Sequence, residues 1–85
     1  MKKIEKVEIK EDTKYAVAWK MKLAREYAEV KERYTKLHDM LVKYDAGTLE
    51  YSIRGKVKIF RRQAKAMEEY LYCLEVRAKA DGIIL

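Results

Sequence analysis

A chain of 85 residues buries only about 60 to 65% of the surface its unfolded form exposes, which permits one small core or an oligomer. The composition is 49% hydrophobic and 40% charged, with three Gly and no Pro, which argues against a disordered tail, a turn-rich β-sandwich or a collagen-like repeat and leaves long helices. The single cysteine, Cys73, cannot form an internal disulfide, and no apolar run approaches the roughly 18 residues of a membrane span, so a soluble protein of a reducing compartment is expected.

The chain opens MKKIEKVEIKED, basic but without an apolar region behind the charges, so it does not read as a secretory signal. Ile4, Val7 and Ile9 alternate with charged residues without committing to either secondary-structure period. A short helix, an edge strand and a flexible arm over residues 1–12 all remain open.

From Ala16 the apolar residues Trp19, Leu23, Tyr27, Val30, Tyr34, Leu37, Leu41 and Tyr44 follow in steps of three or four, a helix stripe sustained for about eight turns. Asp12 or Thr13 is available as N-cap, so this helix is expected over residues 14–45. Gly47 then supplies a residue able to take positive φ at little cost. After a loop over 46–51 a second stripe, Ile53, Val57, Phe60, Ala64, Met67, Leu71, Leu74 and Ala78, alternates steps of four and three, the heptad spacing of helix packed on helix. Ser52 is its expected N-cap, and Gly82 with Ile83 after it reads as a glycine stop whose apolar follower folds back on the last turn of a helix over 52–80. Two long helices joined by a short loop lie antiparallel, so the fold class is all-α, a single helical hairpin domain.

Both helices carry further apolar residues beyond the main stripe: Tyr15, Met21, Ala24, Ala28 and Met40 on the first, Ala66, Tyr70, Cys73 and Val76 on the second. A lone hairpin would leave this second face wet, and contiguous apolar patches mark association surfaces. A homo-oligomer is expected, and seven Tyr and one Trp fit that expectation because amphipathic aromatics collect at interfaces.

The charge is unevenly placed. Residues 1–50 hold 12 Lys/Arg against 10 Asp/Glu and residues 68–85 hold 2 against 4, while Arg54, Lys56, Lys58, Arg61, Arg62 and Lys65 stand between Tyr51 and Met67 with no acid among them. This is either a solvated helix face or a concentration of positive potential for phosphates or an acidic partner. Catalysis finds little support. His38 has no nucleophile at a meaningful spacing and reads as a surface polar contact with Asp39; Cys73 reads as a packed small apolar residue; adjacent Glu68 and Glu69 point to different parts of a helix; no Gly-rich phosphate loop is present, and one Cys builds no metal site. No enzyme, metal or cofactor is expected.

Binding of something phosphorylated is better supported, because Arg and Lys grip phosphates and aromatic rings carry nucleobases. The two kinds interleave at Tyr15, Trp19, Lys20 and Lys22, and again at Arg33, Tyr34 and Lys36. Lys22 and Glu26 lie one turn apart and share a face with Trp19. Trp19 itself is either a stacking platform or part of the core stripe.

The run from Arg62-Gln63 through Met67, Tyr70, Leu71 and Leu74 to Arg77, with the weaker pattern Trp19, Lys22, Leu23, Glu26, Val30, Arg33 and Leu37 before it, resembles the anti-CBASS and anti-Thoeris hairpin group of small phage proteins, over residues 19–77. The resemblance implies a sponge that binds and sequesters the cyclic oligonucleotide messengers of bacterial CBASS immunity without degrading them. It also implies a homo-oligomer, a hexamer by family likeness, with ligand pockets between subunits, acting in the host bacterial cytoplasm. The length is similar to that of the shorter, anti-CBASS branch. A cyclic dinucleotide presents two bases and two phosphates about an approximate twofold axis, so two subunits can meet it with the same side chains. Tyr15 and Trp19 are the candidates for stacking and Lys22 and Arg33 the matching cations; Arg61, Arg62 and Lys65 are the candidates for a separate cyclic trinucleotide pocket. The alternatives are a small basic nucleic-acid-binding phage protein, the less expected of the partners, and a structural coiled-coil adaptor.

Overall fold

The computed structural model describes the backbone of residues 2–85 and the side chains of residues 17–85. Helix α1 runs Lys2–Ala46, a short 3-10 helix covers Arg54–Lys56, and helix α2 runs Val57–Ala80. The two long helices pack on one another, and among the described residues there is no strand. The molecule measures 67 × 18 × 17 Å, the proportions of a two-helix hairpin. At 1.5 Å per residue α1 is about 67 Å long and α2 about 36 Å, so α2 is matched only against the C-terminal part of α1.

The first helix was expected to begin near Lys14 behind an Asp12 or Thr13 cap; it continues through both residues to Lys2. Neither Gly nor Pro occurs between Lys2 and Ala46, and an Asp or Thr inside a helix costs less than about 0.7 kcal/mol, so a potential cap is not a stop. The second helix begins five residues later than expected. Ile53 is buried at 6% exposure, and the Lys56 amide donates to its carbonyl at 2.8 Å, closing a tight turn before α2 starts. Ser52 does not cap α2. Its Oγ accepts the Arg54 amide N–H at 3.4 Å, inside the loop.

Both helix ends close as glycine stops. Gly47 has φ +76° and Gly82 φ +68°. Thr48 N–H donates to the Lys43 carbonyl at 2.9 Å and Gly47 N–H to Tyr44 at 3.1 Å; Ile83 N–H donates to Ala78 at 2.7 Å and Gly82 N–H to Lys79 at 3.4 Å. In each, six-to-one and five-to-two bonds satisfy the last free carbonyls. Ile83 then folds back against Leu23, Leu74 and Ala78.

The core is a seam of the two stripes. At the open end Leu23, Leu74 and Ala78 cluster with Tyr27 and Ile83; at the loop end Leu41, Ile53 and Ala64 cluster with Leu37, Val57 and Phe60 around them. Leu71 is buried between these ends. Met40, assigned from sequence to the second face, packs into the loop-end cluster. Of the rest of that face, Met21, Ala28, Ala66, Tyr70 and Val76 are exposed as expected in a single chain, and Ala24 is half-buried. Cys73 is exposed too, which corrects its reading as a packed residue; it lies on the side of α2 turned away from the Leu71 and Leu74 seam. The expectation for Tyr15 falls outside the described side chains.

Candidate functional site

Trp19 stands where the seam runs out. The indole continues the Leu23 stripe, yet α2 and the tail behind it end nearby, so it stays 40% exposed. Arg77 comes across from α2 and sets its guanidinium carbon 5.7 Å from the ring centroid, a cation–π contact. With Lys22, Leu23 and Glu26 these residues line a cavity of about 260 Å³. A flat ring, two cations and a carboxylate therefore meet in one place.

Of the four residues expected around a dinucleotide, the structure brings Trp19 and Lys22 together. Arg33 is exposed and stands fourteen residues further along α1, about 21 Å away, so within one chain it does not share the cavity. Arg77 was quoted in the resemblance but given no role. The signal for it was the hairpin register: folding the chain about the middle of the loop sets Trp19 opposite the last turns of α2.

The second candidate cluster divides. Arg61 and Lys65 line one groove of about 380 Å³ together with Tyr34, His38, Asp45 and Glu68, whereas Arg62 is exposed on another part of the α2 surface. Arg61 is already engaged: both guanidinium nitrogens donate to the Asp45 carboxylate, one at 3.2 Å. That fork holds the Asp45 carboxyl below its ordinary range and the Arg61 pKa above its own, first through the hydrogen bonds and then through charge. His38, read from sequence as a contact of Asp39, instead stacks on Tyr34, with centroids 5.6 Å apart and rings inclined by 25°; Asp39 pairs with Lys43 at 3.1 Å. Burial raises the Tyr34 pKa, with Glu68 adding to it. Nearer the open end the Tyr27 hydroxyl donates to Glu75 Oε2 at 2.8 Å, and that bond raises its pKa.

Among the described residues no group of three or more His, Cys, Asp or Glu is placed to hold a metal ion, and no helix is long and apolar enough to cross a membrane. Neither a curated protein nor a solved structure matches the chain. A model of the Sequestin family does match, over residues 18–80, from just before Trp19 to the end of α2, a span that contains both helices of the hairpin and the whole of residues 19–77. The chain belongs to the Sequestin family.

Proposed function

We propose that this protein binds cyclic oligonucleotide messengers of bacterial CBASS immunity, dinucleotides above all, and holds them intact as a homo-oligomer in the infected cell's cytoplasm. The observation that carries the reading is the half-exposed Trp19 indole with Arg77 over it and Lys22 beside it, inside the segment that matches a family named for sequestration. Ring and cations supply the two contacts a cyclic dinucleotide needs, a stacking surface for a base and positive charge for phosphate. The cavity's 260 Å³ lies below the roughly 300–1,000 Å³ typical of small-molecule sites. A second subunit completing it would supply the missing volume, and Arg33, exposed on α1, is the proposed further cation from a neighbouring copy. Arg62 and Lys65, with Arg61 once released from Asp45, are the proposed cations for a cyclic trinucleotide.

Calorimetry with a panel of cyclic di- and trinucleotides, beside a single-stranded oligonucleotide, tests this reading. Saturable heat with a cyclic dinucleotide, and its recovery unchanged by mass spectrometry after denaturing the protein, is the expected outcome. Cyclic dinucleotide affinity should vary little with salt, since only two phosphates are neutralised, whereas an oligonucleotide releases many counterions together and weakens steeply. Heat with the oligonucleotide alone would favour a nucleic-acid-binding protein instead.

A further inference from the structure

At the other end of the hairpin from Trp19, Met40 of α1, the loop and the first turn of α2 line an open cavity of about 500 Å³, inside the size range of small-molecule sites. Met40, Ile53 and Phe60 supply its apolar lining and Arg54 and Lys56 its charges. Tyr51 stands at its edge with 61% of its surface exposed. No acid lines it; the nearest in sequence, Glu50, lines a neighbouring groove that shares Tyr51 with it. Neither Arg54 nor Lys56 forms an ion pair among the described residues. Both belong to the stretch 51–67, which contains six cations and no acid; Arg61 is paired with Asp45, and the remaining sequence neighbours add to the positive field at the cavity.

An aromatic ring left in water beside an apolar pocket, with two free cations next to it, is the complement of a ligand that is flat at one end and anionic at the other. From this geometry we infer that the loop-end cavity is a binding site for a linear nucleoside phosphate, its base against Tyr51 and the apolar lining and its phosphates on Arg54 and Lys56. The Ser52 hydroxyl adds a donor. Its oxygen accepts the Arg54 amide, which leaves the hydroxyl hydrogen free for a phosphate oxygen. Met40 and Trp19 are twenty-one residues apart on α1, about 32 Å, so a ligand here does not touch the Trp19 cavity. The site stands whether or not that cavity holds a cyclic dinucleotide.

The test is an amide chemical-shift titration of the full chain with AMP, ADP and inorganic phosphate, and separately with a cyclic dinucleotide. ADP should produce saturable shifts centred on residues 51–60. Tyr51→Ala should weaken it by roughly fivefold or more, the loss of one stacked base, and Arg54→Glu more strongly, while Trp19→Ala leaves it unchanged. Both loop residues are exposed, so their variants should keep wild-type helicity, and Tyr51→Phe, which preserves the ring, should bind ADP as the wild type does. The assignment is overturned if millimolar ADP gives no saturable shift, if inorganic phosphate binds equally well, if the shifts centre on Trp19, or if longer single strands bind ever more tightly with a steep salt dependence, the signature of a backbone-tracking face.

Discussion

Trp19 separates a packing role from a binding role by measurement. A fully buried Trp costs about 3–5 kcal/mol to truncate, but this one keeps 40% of its surface in water, so Trp19→Ala should lower the melting temperature little. Cyclic dinucleotide affinity should fall by roughly fivefold or more, because one stacked base is worth about 1–3 kcal/mol. Arg77→Ala, which removes the cation over the ring, should weaken binding in the same direction. If Trp19→Ala instead melts the protein sharply and abolishes binding of every ligand together, the indole is core and the pocket lies elsewhere. The Asp45–Arg61 fork carries a pH signature of its own. Its carboxyl is depressed below 3.8 in the folded state by Arg61, so the stabilisation is present above that unfolded value and is lost as pH falls through the lower folded one. Thermal melts taken from neutral pH down to about pH 2 should show an acid-induced drop that is smaller in Asp45→Asn, and the difference should shrink in high salt because the pair is exposed.

The two helices are held by a narrow seam, and its ends are fixed by backbone chemistry. Leu74, at 1% exposure, shares the open-end cluster with Leu23 and Ala78, against which the folded-back Ile83 packs, so Leu74→Ala should destabilise by about 2–5 kcal/mol in chemical denaturation. Gly82→Ala should cost about 1–2 kcal/mol, because a side chain at φ +68° is strained even though the added carbon meets nothing within 4 Å. These features were the legible ones. Steps of three and four from Leu23 to Leu41 and from Ile53 to Ala78 marked every buried residue among those described, and Gly47 and Gly82 marked both stops, since periodicity and positive φ are local properties. The start of α1 was not legible, because Asp12 and Thr13 suit a cap and a helix interior alike and only a breaker would have decided. Ser52 was misassigned by the same ambiguity: the need to bury Ile53 inserted a turn between it and α2. The candidate site divides along the same line. Trp19 with Lys22 is a one-turn neighbour relation that sequence gives directly, whereas Arg77 over the indole and Asp45 on Arg61 depend on how one helix sits against the other.

A hairpin 67 Å long and 18 Å wide has little interior, and among the described residues its buried apolar side chains are Leu23, Leu41, Ile53, Ala64, Leu71, Leu74 and Ala78. Outside that seam Val17 and Met21 on α1 and Tyr70 and Val76 on α2 are 47%, 57%, 41% and 49% exposed. Large apolar side chains so placed are a cost to a monomer in water and a contribution to an assembly. A small domain with so thin a core is at the size where association commonly supplies the missing stability. The expected outcome in native mass spectrometry is a single symmetric oligomer at micromolar concentration, with a melting temperature that rises with protein concentration, as it must when folding and association are linked. Met21→Asp combined with Val76→Asp should dissociate it, since each carboxylate would have to be buried unpaired at the interface. The same double variant should weaken cyclic dinucleotide binding at the Trp19 cavity if a second subunit completes that pocket, while the loop-end cavity, built from one chain, keeps its ligand. A wild-type protein that stays monomeric at micromolar concentration and still binds a cyclic dinucleotide would overturn the shared pocket and leave the hairpin to hold its ligand alone.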